Sequence, residues 1–333
     1  MKLCALLVGW LVGPTAGLIA DPLRMALLPK DTQWVAHVNV AQFFGTKLGG
    51  RRVEEVFSPA IREVEGALKA ATDVGVPLDS VFDITVFGRS FDDDGASAVV
   101  LAHTSAPIGE FLDKLRDRLI ADHPETADAF TKVERDGYAV YTTEDAMLAA
   151  EILPNRLALA PSVKLLDTVR ASLRAERKGP ENGENLAPKL PKPDEDAVLT
   201  LVAIGLDRAS NFPSELRVLR KAKAVQLDLI NRDQSLVSRV SILTESPETA
   251  ELVHSVFRGM LATLRLVWEP ALAENASLPP AVAEWIRGDW SRWVQSRVQQ
   301  SLVNIELSLP SNVALDTWET VSRPSSETQE SQP

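Results

Sequence analysis

KAVQLDLINRDQSLVSRVSIL, residues 223–243, contains two strand-like runs on either side of a polar turn. The runs at 223–230 and 235–243 supply the apolar side chains of a half-buried sheet, and Asn231-Arg232-Asp233-Gln234 between them holds residue types that close a hairpin. Just beyond, Ser246-Pro247 provides the cap and first position of a helix. Its Val253, Val256, Phe257, Met260, Leu261 and Leu264 recur at the three- and four-residue spacing of one helical stripe. A near-continuous apolar run at 197–205 precedes the hairpin. The C-terminal half therefore reads as strand, intervening segment, hairpin and helix.

The N-terminal half has the same order. Trp34, Ala36, Val38 and Val40 alternate with Val35, His37 and Asn39, the two-residue period of a strand. Apolar spacing predicts a helix over 51–74. Runs at 83–89 and 96–103, joined by Ser90-Phe91-Asp92-Asp93-Asp94-Gly95, predict a hairpin. A helix follows with Ile108, Phe111, Leu112, Leu115, Leu119 and Ile120 on one face. Four short runs near 130–134, 138–142, 147–152 and 156–160 predict a meander, and Ser162 caps a helix carrying Leu165, Leu166, Val169 and Leu173. Pro107 and Pro247 occupy matching places in the two halves. The expectation is an α+β fold of two similar mixed or antiparallel sheet units, each packed by amphipathic helices, with an internal duplication. The alternative is two unrelated α+β segments.

Residues 178–196, KGPENGENLAPKLPKPDED, hold little that a core would bury and predict an exposed, disordered linker. Domains are thus expected at 21–177 and 197–318, with a disordered tail at 319–333. A helix bearing Trp285, Trp290 and Trp293 and a strand near 301–308 complete the second.

Met1 and Lys2, the apolar run from Leu3 to Val12, the Gly13-Pro14 break and small residues up to Ala20 have the form of a secretory signal peptide over residues 1–20. Cleavage is expected after Ala20, with Ala16 as the alternative. The single cysteine, Cys4, falls inside this segment, so the mature chain would have no thiol for disulfides, thiolate metal sites or a Cys nucleophile. Localisation follows as exported, periplasmic or extracellular. No run reaches the roughly 20 apolar residues of a transmembrane helix.

Of the 333 residues, 45% are apolar, which suffices for a sizeable core. Lys and Arg number 35 against 46 Asp and Glu, a net charge of −11; loss of Lys2 with the leader leaves 34 against 46, or −12. Such a surface repels phosphate backbones, so a nucleic-acid partner is not expected.

Leu27-Leu28-Pro29-Lys30-Asp31-Thr32 leads directly into the opening strand, and Asp136-Gly137-Tyr138-Ala139-Val140-Tyr141 forms a later hairpin. With the signal peptide, these stretches resemble a class of exported bacterial proteins of unknown function that open with a Leu-Pro-x-Asp/Glu-Thr step into a strand. The resemblance spans residues 27–175. It implies an exported α+β protein without an assigned reaction and transfers no catalytic residue.

Catalytic signatures are absent: there is no Gly-x-Ser-x-Gly elbow, Walker loop, dinucleotide fingerprint, His-Glu-x-x-His pair or EF-hand loop. The four histidines, His37, His103, His123 and His254, stand at no ligand spacing, so neither metal nor cofactor is expected. Two features suggest binding. Trp285, Trp290 and Trp293, interleaved with Arg287, Arg292 and Arg297, offer stacking surfaces and cations to a glycan or peptide, although the same spacing suits a core helix. His37, beside Asn39 on the less apolar strand face and near His103, suggests a small polar site on the sheet. The expected function is that of an exported, non-enzymatic binding or envelope-associated protein whose partner is an envelope protein, peptide or glycan. The alternative is an exported hydrolase using dispersed carboxylates such as Asp83, Glu134 or Asp136.

Overall fold

The computed structural model describes residues 23, 25, 28–46, 80–91, 97–122, 124, 128, 131–142, 147–176, 190–208, 214–232, 235–274, 288 and 292–314. The leader at 1–20, the helix expected at 51–74, Trp285, Trp290 and the tail at 319–333 lie outside them.

Alternation at the opening strand is realised as β1, Trp34–Asn39. It is followed by β2, Val81–Gly88, and β3, Val99–Thr104. The meander comprises β4, Lys132–Arg135, β5, Tyr138–Thr142, β6, Leu148–Leu153, and β7, Arg156–Ala160. The second half supplies β8, Ala197–Ile204, β9, Ala222–Arg232, β10, Ser235–Thr244, β11, Val294–Gln299, and β12, Leu302–Pro310. Among the described residues the longer α-helices are α1, Val40–Gly45, α2, Ile108–Asp122, α3, Val163–Glu176, and α4, Pro247–Glu274. The α+β class expected from the sequence is the class observed.

The strands form one twelve-stranded sheet in the order β11-β12-β10-β9-β8-β1-β2-β3-β7-β6-β5-β4. All pairings among the described residues are antiparallel. β1 is the seam, pairing with β2 on one edge and with β8 on the other. The two halves therefore share a sheet instead of each closing on its own. In each half, the strand after the helix that returns to the sheet interior, β7 or β12, pairs with the third strand, β3 or β10.

Residues directly opposite one another in an antiparallel pair point to the same face, so the registers sort the side chains. On one face, Val40, Phe44, Ile84 and Val100 pack with Ile108, Phe111 and Leu112 of α2. Ile242, Val303 and Ile305 meet Ala250 and Val253 of α4 on the same side. On the opposite face α3 buries Leu165, Leu166, Val169 and Leu173 against Phe87, Val99, Ala150, Ile152 and Ala158. The apolar stripe expected on α4 is split. Ala250 and Val253, near the start of α4, are buried against the sheet, whereas Val256, Met260 and Leu264 farther along the same stripe are exposed, as is Leu252.

Two segments differ from expectation. Trp293 is in the turn before β11, and residues 294–299 are strand, although the tryptophan spacing had suggested one helix through Val294. Pairing with β12 decides this, through a turn at Gln300 whose φ is 54°. The described end of the 178–196 segment, residues 190–196, keeps Lys192, Glu195 and Asp196 exposed but is anchored at two points. Leu190 packs against the α3 core, and Asp194 accepts from Arg232 at 2.9 Å and Arg239 at 3.0 Å.

Candidate functional site

Where the halves meet, register stacks polar side chains into a row across the sheet. Thr85, His37, Thr200, Asp228, Arg239, Glu306 and Gln295 are successive cross-strand partners on β2, β1, β8, β9, β10, β12 and β11. They lie on the face opposite α4. In the middle of the row these groups are deeply buried, His37 at 4%, Thr200 at 1% and Asp228 at 2% exposure. Burial of polar groups is tolerable only with partners. His37 Nδ1 lies 2.9 Å from Thr85 Oγ1. The Thr200 hydroxyl donates to Asp228 Oδ1 at 2.8 Å, and Gln226 Nε2 donates to Oδ2 at 2.7 Å.

Burial pushes the Asp228 carboxyl above its ordinary value, against the pull of the Gln226 and Thr200 hydrogen bonds and the nearby Arg239 charge. A carboxyl raised in the folded state takes up a proton on folding. Its contribution to stability therefore falls as pH climbs from the ordinary value of 3.8 through the raised folded value, and is level above that. We expect Asp228→Asn to remove this slope. The amide retains an acceptor for Thr200, and the Gln226 amide can turn its oxygen toward the new NH2. Urea unfolding at pH 7 should then show Asp228→Asn equal to the parent or about 1 kcal/mol more stable. A loss above about 2 kcal/mol at pH 7 would show that the ionised carboxylate is itself stabilising.

Toward the edge of the sheet the row opens to solvent. Arg239, Gln295, Ser296, Arg297, Asn304, Ile305 and Glu306 line a cavity of about 200 Å³ between β10, β12 and β11. Arg239 is committed, its Nε at 3.3 Å from Glu306 Oε2 and its second nitrogen on Asp194. Asn304 Oδ1 is taken by the Ser241 hydroxyl at 3.0 Å, which leaves its NH2 as a donor. Arg297 directly opposes Asn304 in the β11–β12 pair, and no carboxylate among the described residues pairs with it. The pocket thus combines one uncommitted guanidinium, amide donors and a single carboxylate.

The residues singled out from sequence are scattered over this frame. His37 is in the buried middle of the row and His103 is two strands away. His103 Nδ1 lies 3.2 Å from Asp83 Oδ2, and Arg156 lies 3.6 Å from the other Asp83 oxygen. Trp293 is half-buried, and its carbonyl accepts the Ser308 N–H at 2.8 Å, so it borders the pocket strand without lining the cavity. Of the three carboxylates weighed for hydrolysis, Asp83 is enclosed on β2 and Glu134 is exposed on β4, five strand spacings or on the order of 20 Å away. Asp136 forms the β4–β5 turn at φ 46°. Sequence reasoning named Arg297 only as a cation among the tryptophans, and it missed Arg239, Asn304 and Glu306. Each is an ordinary strand residue until the register aligns them. Among the described residues no cluster of His, Cys, Asp or Glu is arranged to hold a metal, and no helix is long and apolar enough to cross a membrane.

No family model matches the chain, and no curated protein matches it. Among solved structures it is similar to crystal form III of TP0453, with a TM-score of 0.41 and 11% identity over 90% of this chain and 98% of that one. Crystal form IV of TP0453 gives 0.41 and 12% over 91% and 97%. Crystal form I gives 0.39 and 10% over 91% and 99%.

Proposed function

We propose that this chain is an exported, non-enzymatic binding protein whose ligand seat is the polar pocket between β10, β12 and β11. The observation that carries the reading is the pocket's inventory. Arg297 and the Asn304 amide present donors to an anionic or carbonyl oxygen, the Glu306 carboxylate is engaged by Arg239, and the Ser296 hydroxyl is held by His254 Nε2 of α4. Separation of Asp83 from Glu134 weighs against the hydrolytic alternative, which needs two carboxyls about 5 to 10 Å apart. Export rests on the leader at 1–20. Leu23 and Leu28 pack in the α3 core, so cleavage after Ala20 leaves that core intact.

Support for an internal duplication comes from the sheet order, which runs outward from the β1–β8 seam in the same sequence of roles on both sides, with α2 and α4 on one face. In each half a proline, Pro107 or Pro247, stands where the helix begins.

The test titrates the full chain with succinate and follows backbone amide signals. Shifts confined to β10, β12 and β11, weakened about tenfold by Arg297→Gln, are expected. Absence of shifts at tens of millimolar, or shifts spread over surface lysines, would overturn the pocket as the seat. N-terminal sequencing of the secreted protein should begin at Asp21.

A further inference from the structure

We infer that the outer edge of β11 docks an extended acidic segment of a partner protein, which joins the sheet as an added strand and lays a carboxylate on Arg297. The Ser308 N–H donates to the Trp293 carbonyl, so residues 293 and 308 form a hydrogen-bonded pair. Backbone direction alternates along a strand. Gln295, Arg297 and Gln299 therefore turn their N–H and C=O groups toward β12, and Val294, Ser296 and Val298 turn theirs outward. β11 is terminal in the sheet, and no described strand pairs with that outward side.

The sheet's other end is managed differently. β4 has four residues, all exposed, and three of them, Lys132, Glu134 and Arg135, are charged, which is the usual device for blunting an edge. β11 has six residues and one charge, Arg297. It is also held firm from beneath, where the Ser296 hydroxyl meets His254 Nε2 of α4 at 2.8 Å, so little ordering is needed on docking. Strand addition of this kind draws affinity from main-chain hydrogen bonds and selectivity from pockets that take alternate side chains. The cavity beside Arg297 is such a pocket.

Charge selects the occupant. Arg292 and Arg297 make this edge locally basic on a chain of net −11, and no described carboxylate pairs with either. A second copy pairing through β11 would bring two sets of these arginines together on two like-charged chains. An acidic extended partner meets neither obstacle.

The inference deepens the binding reading above and shares its pocket, while the edge geometry is tested separately. The full chain is titrated with a labelled eight-residue peptide alternating Glu and Val, and with a Lys and Val counterpart. The Glu peptide should bind at least about tenfold more tightly, and Arg297→Glu should remove about tenfold or more of its affinity. Ser296→Pro deletes one outward N–H that β12 does not use and should weaken binding comparably. On the unsubstituted chain, peptide should slow hydrogen exchange at Val294, Ser296 and Val298, while Gln295 and Arg297 are already protected. Equal binding of both peptides, unchanged exchange at those three amides, or a peptide-independent dimer that protects them would overturn it. Succinate shifts without peptide protection would sink the edge and leave the pocket standing; protection without succinate shifts would do the reverse.

Discussion

Arg170→Ala should lose about 3 to 5 kcal/mol of folding stability, among the largest costs of any single truncation in the described part of the chain. Arg170 projects from α3 and is 6% exposed. Its Nε donates to the Ile152 carbonyl at 3.1 Å and a terminal nitrogen to the Asp136 carbonyl at 2.8 Å, with the Gly137 carbonyl at 3.5 Å. The guanidinium also lies 4.3 Å above the Tyr138 ring. One cation thus holds a helix, the β6 backbone and the β4–β5 turn, whose Asp136 and Gly137 both take positive φ. Truncation leaves the buried Ile152 carbonyl unmet, takes a donor from the exposed turn's Asp136 and Gly137 carbonyls, and opens a void beside Tyr138. Tyr138 is itself tethered, donating to Asp167 at 2.7 Å, and burial together with that bond pushes its phenol up to about 12. Arg170→Met retains the packed stem and removes the donors, which separates the two contributions, and Arg170→Lys restores a single donor and should recover less than half. Urea unfolding followed by circular dichroism checks all three. A cost below about 1 kcal/mol for Arg170→Ala would mean that water satisfies the turn carbonyls.

Arg170 also shows where sequence reading stops. The α3 stripe of Leu165, Leu166, Val169 and Leu173 is legible because a helix must bury one face. Nothing local reveals that the neighbouring arginine meets carbonyls more than thirty residues back. The same limit applies to the strands. β1, the hairpins and the meander are legible because a two-residue period and polar turns are local signals. β11 is not, since Val282, Trp285, Ile286, Trp293 and Val294 recur at helical spacing and its turn, at Gln300-Ser301, lacks the Asn-Gly or Asp-Gly of a readable hairpin. The candidate site was the least legible part. Arg239 meets Glu306 across 67 positions, and Thr200 meets Asp228 across 28. Only the pairing of β1 with β8, which no composition or period encodes, places His37 in the same row. His37 was legible as a polar residue on a strand; its burial was not.

Gly88→Ala should cost about 2 to 4 kcal/mol, and the cost should nearly vanish when Trp34 is replaced by Leu. Gly88 stands directly opposite Trp34 in the β1–β2 pair. A Cβ there would fall 2.5 Å from Cε2 and Nε1 of the indole and 2.6 Å from Cζ2, closer than side-chain carbons approach one another. The ring cannot simply turn aside, because its Nε1 donates to the Ser90 carbonyl at 2.8 Å. An aromatic laid over a strand glycine covers backbone that would otherwise lack a packing partner. Substitution must therefore break the indole hydrogen bond, expose the ring or shift β2 relative to β1. A shift would spread, since the Gly88 carbonyl accepts the Gln33 N–H and Gln33 in turn accepts from Ile204 of β8, the strand that joins the halves. A double-mutant cycle of Gly88→Ala with Trp34→Leu, read by urea unfolding, should give a coupling of about 1.5 to 3 kcal/mol. Equal costs for Gly88→Ala in both backgrounds would place the damage in the backbone of β2 and not in the indole.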